Sequence, residues 1–143
     1  MKKKRSGIRL LVVLLVLLVI FVLGQVFLVG KISKDIKVKP YTGSQIFSEQ
    51  DINSAIEKTE TYFKKNMQGC TMTAIGYGGD EASSNQLESR QRQPDFKYKE
   101  AIVINIDFDV RIASSNFESG TNRENYVVVL ARKNSDSKWK VLE

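Results

Sequence analysis

Histidine is absent from this 143-residue chain, and cysteine occurs once, as Cys70. Without an imidazole there is no Ser-His-Asp or Cys-His nucleophile arrangement and no His-containing metal site. A lone cysteine makes no intrachain disulfide or thiolate cluster, and its place between a helical and a strand-like pattern reads as a small packed residue. Asn105, Asp107 and Asp109 alternate along a strand pattern, so their oxygens share one side and could converge on a hard cation such as calcium. Arg111 is next in the same row, and an exposed strand face carries such residues without any metal. Nothing in the pattern desolvates one of these acids, which argues against paired-carboxylate catalysis. Gly76-Tyr77-Gly78-Gly79-Asp80 lacks the Gly-Lys-Ser/Thr ending of a phosphate-binding loop and reads as a tight turn. Arg90, Arg92, Lys97 and Lys99 interleave with Phe96 and Tyr98, a composition used on single-stranded nucleic acid. Glu88, Asp95 and Glu100 dilute that patch, and an anionic polymer or lipid headgroup fits it better. No catalytic, cofactor-binding or metal-ligating residue is assigned, and no cofactor is expected. The candidate partner or ligand surface is Tyr77, Val103, Tyr126, Val129 and Arg132.

Charge and hydropathy divide the chain unevenly. Of 22 Lys and Arg and 16 Asp and Glu, nine bases and one acid lie in the first 39 residues, leaving the remainder at −2. Nucleic-acid binding thereby loses its electrostatic support. Leu10 to Val29 is apolar except at Gly24 and Gln25. Twenty helical residues rise roughly 30 Å, the thickness of a bilayer core, so the sequence predicts a transmembrane helix over 10–30. The basic tail 1–9, with Lys2, Lys3, Lys4, Arg5 and Arg9, predicts a cytoplasmic amino end and a single-pass protein of the cell membrane whose body lies outside. A cleaved secretory signal competes with that reading, but the apolar run continues past the small residue Gly24. Residues 31–46, with Lys31, Lys34, Lys37 and Lys39, read as a juxtamembrane spacer lying on anionic headgroups.

The body, 47–143, opens on a helix capped by Ser48, with Asp51 completing a capping-box pattern and Phe47 and Ile52 forming a hydrophobic staple. Ile52, Ala55, Ile56, Tyr62, Phe63 and Met67 recur at helical spacing, with Thr59 in the remaining place, up to Gly69. Cys70 to Tyr77 reads as a strand, Asp80 to Pro94 as loop or at most a short surface helix, and Tyr98 to Ile112 as a long strand. In that long strand Ile102, Ile104, Ile106, Phe108, Val110 and Ile112 share one side. Asn125 to Arg132 reads as a strand buried on both faces between Tyr126 and Ala131, and a turn at Asn134 to Ser137 leads into Lys138 to Leu142 with Trp139. Non-helical connections exclude parallel neighbours. The expected architecture is therefore α+β: one amphipathic helix on a four-stranded antiparallel meander, with cover for the second sheet face left open between the 80–94 segment, the spacer and a partner chain.

The order of the capped helix 51–68, Gly69-Cys70-Thr71, Ile104-Asn105-Ile106-Asp107-Phe108, Val129-Leu130-Ala131-Arg132 and Lys138-Trp139-Lys140-Val141 resembles small extracytoplasmic domains of Gram-positive bacteria with cystatin-like or nuclear-transport-factor-like folds. The resemblance spans about Phe47 to Glu143, and Arg132 and Trp139 fill its most particular places. It implies no catalytic residue, and the lipid-bearing Cys of many such domains is absent here. Together these features point to a membrane-anchored, non-catalytic accessory or binding module of the cell envelope with an envelope protein or peptide as partner. The alternative is a small-ligand or enzymatic domain using a cup between helix and sheet, lined by Tyr77, Tyr126 and Arg132.

Overall fold

The computed structural model describes residues 3–114 and 116–142, and within the first helix it describes side chains over 10–24. The elements run α1 (Lys3–Leu28), β1 (Lys31–Val38), α2 (Glu49–Asn66), β2 (Cys70–Tyr77), α3 (Asp80–Gln91), β3 (Glu100–Val110), β4 (Asn122–Arg132) and β5 (Lys140–Val141). The sheet order is β1-β2-β3-β4-β5, with β1 parallel to β2 and the other neighbours antiparallel.

The expected membrane span is corrected by this structure. Among the described residues no helix is long and apolar enough to cross a membrane. The single-pass, cell-membrane placement drawn from that span is not supported either. Lys2 lies outside the described residues, as do the side chains of Lys3, Lys4, Arg5, Arg9 and Gln25. Leu10 to Leu23 are 46–65 % exposed.

The four-stranded antiparallel meander is also corrected, to a five-stranded mixed sheet. The supposed spacer begins with β1, whose Lys39 amide continues the pairing by donating to the Ile75 carbonyl at 2.8 Å. No slack separates α1 from this strand. The Gly30 amide donates to the Lys64 carbonyl at 3.0 Å, and Arg111 Nη2 donates to the Val29 carbonyl at 3.3 Å.

The capping box forms as the sequence expects. Ser48 Oγ accepts from the Asp51 amide at 3.1 Å, while Asp51 Oδ2 accepts from the Ser48 amide at 3.2 Å. The helical stripe then buries Ile52, Ala55, Thr59 and Phe63, and Thr59 satisfies its hydroxyl by donating to the Ala55 carbonyl. Against it stand Ile102, Ile104, Ile106, Phe108 and Val110 of β3, with Met72 and Ile75 of β2 and Val128 and Leu130 of β4. Ile112 lies past the end of β3 and is 42 % exposed. Removing this apolar area from water is the main stabilising term, at about 25 cal/mol per Å².

The second sheet face is covered by α3, the element expected to be loop or a short surface helix. Ala82 and Leu87 pack on Ala101, Val103, Val129 and Ala131. Ser83 fixes the docking: its hydroxyl accepts from the Val103 amide at 3.1 Å and donates to the Gly79 carbonyl at 2.8 Å. A hydroxyl buried at 0 % exposure is thereby satisfied on both counts.

Candidate functional site

The five residues expected to form a partner surface separate into buried and exposed groups. Val103 and Val129 lie beneath α3 with 2 % and 7 % of their surface left, so they are packing residues and offer no docking face. Tyr77 is 6 % exposed, and its hydroxyl donates to Asp80 Oδ1 at 2.7 Å. Burial and that hydrogen bond push its phenol above the usual tyrosine range. Tyr77 is flanked edge-on by Tyr41 at 5.6 Å and Phe47 at 6.2 Å, which closes the supposed cup at that end. The rest of the space between α2 and the sheet is filled by Phe63, Phe108, Ile52 and their neighbours.

Arg132 is likewise engaged. Its Nε donates to Glu100 Oε2 and its Nη1 to Asp51 Oδ1, both at 2.5 Å, and its guanidinium stacks 4.2 Å from the Trp139 ring centroid. Trp139 Nε1 in turn donates to the Asp51 carbonyl at 3.1 Å. One fork thus ties the first turn of α2 to the start of β3 and to the closing hairpin. Burial opposes charge on Arg132, but the two carboxylates outweigh it and raise its pKa. Burial also opposes ionisation of Asp51, and hydrogen bonds from Arg132 and Ser48 prevail to hold that carboxyl below its usual range.

The acidic row on β3 does not converge on a shared point. Asp107 Oδ1 accepts from Lys39 Nζ at 2.6 Å and from the Asn125 amide at 2.7 Å, while Asp109 accepts from Asn122 Nδ2 at 2.8 Å. Among the described residues no group of three or more Cys, Asp or Glu is placed to hold a metal ion. Lys39 reaches Asp107 only by crossing Gly76, where a Cβ would stand 2.6 Å from its own Cβ. Here the glycine of the expected turn serves a close approach of chains. Asp80, at the end of the same loop, accepts from Ser44, Tyr77 and the Gln45 amide, and these bonds hold its pKa low. For Asp107, burial is outweighed by Lys39 and the Asn125 amide, again lowering the pKa.

These three lowered carboxyls, Asp51, Asp80 and Asp107, set an acid limit on the fold. A carboxyl whose folded pKa lies below its unfolded value binds more protons when unfolded. Its contribution is therefore complete above the unfolded value of about 3.9 and is lost as pH falls through the folded value. With no histidine to titrate, melting temperature is expected to stay level between about pH 5 and 8 and to fall below about pH 4. Thermal melts across that range check it. A decline centred between pH 6 and 7 would contradict this assignment.

Tyr126 is the remaining expected residue and the exposed one, at 40 %. It stands on the α2 side of β4, edge-on to Phe108 at 5.5 Å and to Phe117 at 6.2 Å, with Arg123 5.8 Å from the Phe117 centroid. Beside it opens a cleft of about 300 Å³ lined by Tyr62, Asn66, Gln68, Asn116, Phe117 and Tyr126 among others. Val127 follows at 49 % exposure, on the other side of the sheet. The expected burial of both faces from Tyr126 to Ala131 thus holds only from Val128 to Ala131.

The cause is the brevity of β5. It pairs only with Leu130 and Ala131, and the last bond is from the Leu142 amide to the Val129 carbonyl at 2.9 Å. Peptide groups alternate sides along a strand, so the Val129 carbonyl pointing at β5 places the Val127 N–H and C=O on that same outer side. No partner strand lies there among the described residues. The opposite edge is made differently: β1 carries Lys31, Lys34 and Lys37 and an irregular register, features that discourage a further strand. The open stretch of β4 missed by the sequence reading had one signal, a closing segment of five residues, 138–142, too short to cover a strand beginning at Asn122.

Comparison of this chain with protein-family models, with curated proteins and with solved structures yields no match.

Proposed function

We propose that this chain is a non-catalytic binding module that captures an extended protein or peptide segment by adding it as a strand to the outer edge of β4. The observation that carries this reading is the backbone at Val127, whose outer side has no partner strand among the described residues, flanked by exposed Tyr126 on one face and exposed Val127 on the other. In strand addition the main-chain bonds supply affinity, and side chains alternating between two faces supply selectivity. The cleft beside Tyr126 would take a side chain on the α2 face, and Val127 would meet one on the opposite face. The interior between α2 and the sheet is packed around Tyr77 and Phe63, which among the described residues leaves the small-ligand alternative only the open cleft beside Tyr126. The proposed kinship with cystatin-like or nuclear-transport-factor-like domains is supported by α2 lying across the antiparallel strands β2 to β5, and α3 on the far face adds a helix to the single one read from the sequence.

A seven-residue peptide alternating Thr and Val tests the mode directly. Added to the full chain, it is expected to shift the backbone resonances of Tyr126 and Val127 in a saturable manner. The same peptide N-methylated at the amides facing β4 should lose at least tenfold in affinity, because about 1 kcal/mol or more goes with each lost bond. Equal binding of the two peptides, or no shift at Val127, would overturn the proposal.

A further inference from the structure

A second site lies on the α3 face, away from the open edge. The end of α3, the 93–98 segment and β5 enclose an open cleft of about 460 Å³ lined by Arg90, Asp95, Phe96, Tyr98, Lys140 and Leu142 among others. Its two cations, Arg90 and Lys140, like most described Lys and Arg of the body, form no ion pair among the described residues. Arg90 Nε is buried with no hydrogen-bond partner. A polar atom withdrawn from water and left unmatched costs free energy unless something supplies an acceptor.

The same cleft has an apolar wall. Phe96 and Tyr98 meet edge-on at 5.3 Å and pack with Leu87 and Leu142 against the small cluster under α3. Asp95 on the lining reduces the two positive charges to a net of one, which matches a monoanion better than a phosphate dianion. A planar guanidinium fork beside aromatic rings suits a carboxylate carried on a flat or branched apolar body.

We infer that this cleft binds a monoanionic carboxylate attached to an aromatic or apolar group, with Arg90 and Lys140 holding the carboxylate and Phe96 and Tyr98 the body. This site is independent of strand addition at β4, so either reading stands if the other fails.

The test uses the full chain, kept in solution with a mild non-ionic detergent over α1, and N-acetyl-tyrosine as the probe. Titration followed by NMR is expected to shift the Arg90 Nε–H and the Phe96, Tyr98 and Leu142 amides together and to saturate. N-acetyl-tyrosine amide, which keeps the ring and lacks the charge, should bind at least tenfold more weakly, and inorganic phosphate should also be weaker. Arg90→Gln should lose at least tenfold in affinity while its melting temperature stays within a few degrees of the parent. The acid and its amide binding equally, phosphate matching the acid, or no saturation by about 50 mM would each overturn the inference. The acid-amide comparison is made on the unaltered chain, so it decides even if the Arg90 variant fails to fold.

Discussion

Val103→Glu is expected to unfold the domain. The Val103 side chain is 2 % exposed between β3 and α3, and its Cγ1 lies 2.4 Å from where a Cβ on Gly78 would stand, so no space exists for a longer chain. Its own amide and carbonyl are taken by Ser83 Oγ and the Gly78 amide, so a carboxylate placed there finds no donor ready to receive it. Burial of an unpaired acid, or its forced neutralisation, costs about 4 kcal/mol or more, a large share of the roughly 5–15 kcal/mol holding a domain of this size. Val103→Ala, which only removes two methyl groups, should cost about 2 kcal/mol and remain folded. Far-UV circular dichroism and thermal melting distinguish these outcomes. A folded Val103→Glu protein with a parental melting temperature would show that α3 does not cover this face.

Arg132→Ala should be the most damaging change among the charged residues. It leaves Asp51 and Glu100 without the guanidinium they share and removes the cation stacked on Trp139, with about 2–4 kcal/mol lost and the melting temperature lowered by roughly 10–20 °C. The carboxylates keep a quarter to a third of their surface, which places the loss below that of a fully buried pair. Arg132→Lys should recover little, since one ammonium does not reproduce two donors in a planar fork. Full recovery by lysine would mean that charge alone, without the fork, holds the three segments together.

Much of the fold was legible in local pattern. Ser48 and Asp51 announce the start of α2, the alternating Ile and Phe residues announce β3, and Cys70 to Tyr77 coincides with β2, because in each case the short-range preference agrees with the final packing. The failures are places where distant partners decide. β1 carries four charged residues in eight and gains its conformation from backbone pairing with β2, which no local alternation reveals. α3 offers only Ala82 and Leu87 to the core and has no side-chain cap at Gly79, so its helix depends on Ser83 and on the small residues it covers. That same cover turned Val103 and Val129 from surface candidates into core. Arg132 and Trp139, singled out in the sequence, meet in a structural contact, with the guanidinium stacked on the indole. The open edge was hidden because a run of Tyr and Val looks the same whether its outer side is paired or bare.

Amide hydrogen exchange in the unliganded full chain gives the most direct test of that edge. Val127 turns its N–H outward and Val128 turns its N–H toward Ile104 of β3, with which it is paired. The two neighbours are expected to differ, Val127 exchanging at close to the rate of an exposed loop amide and Val128 protected at least a hundredfold more. Equal, strong protection of both would show that the outer side of β4 is already occupied, and strand addition there would be contradicted.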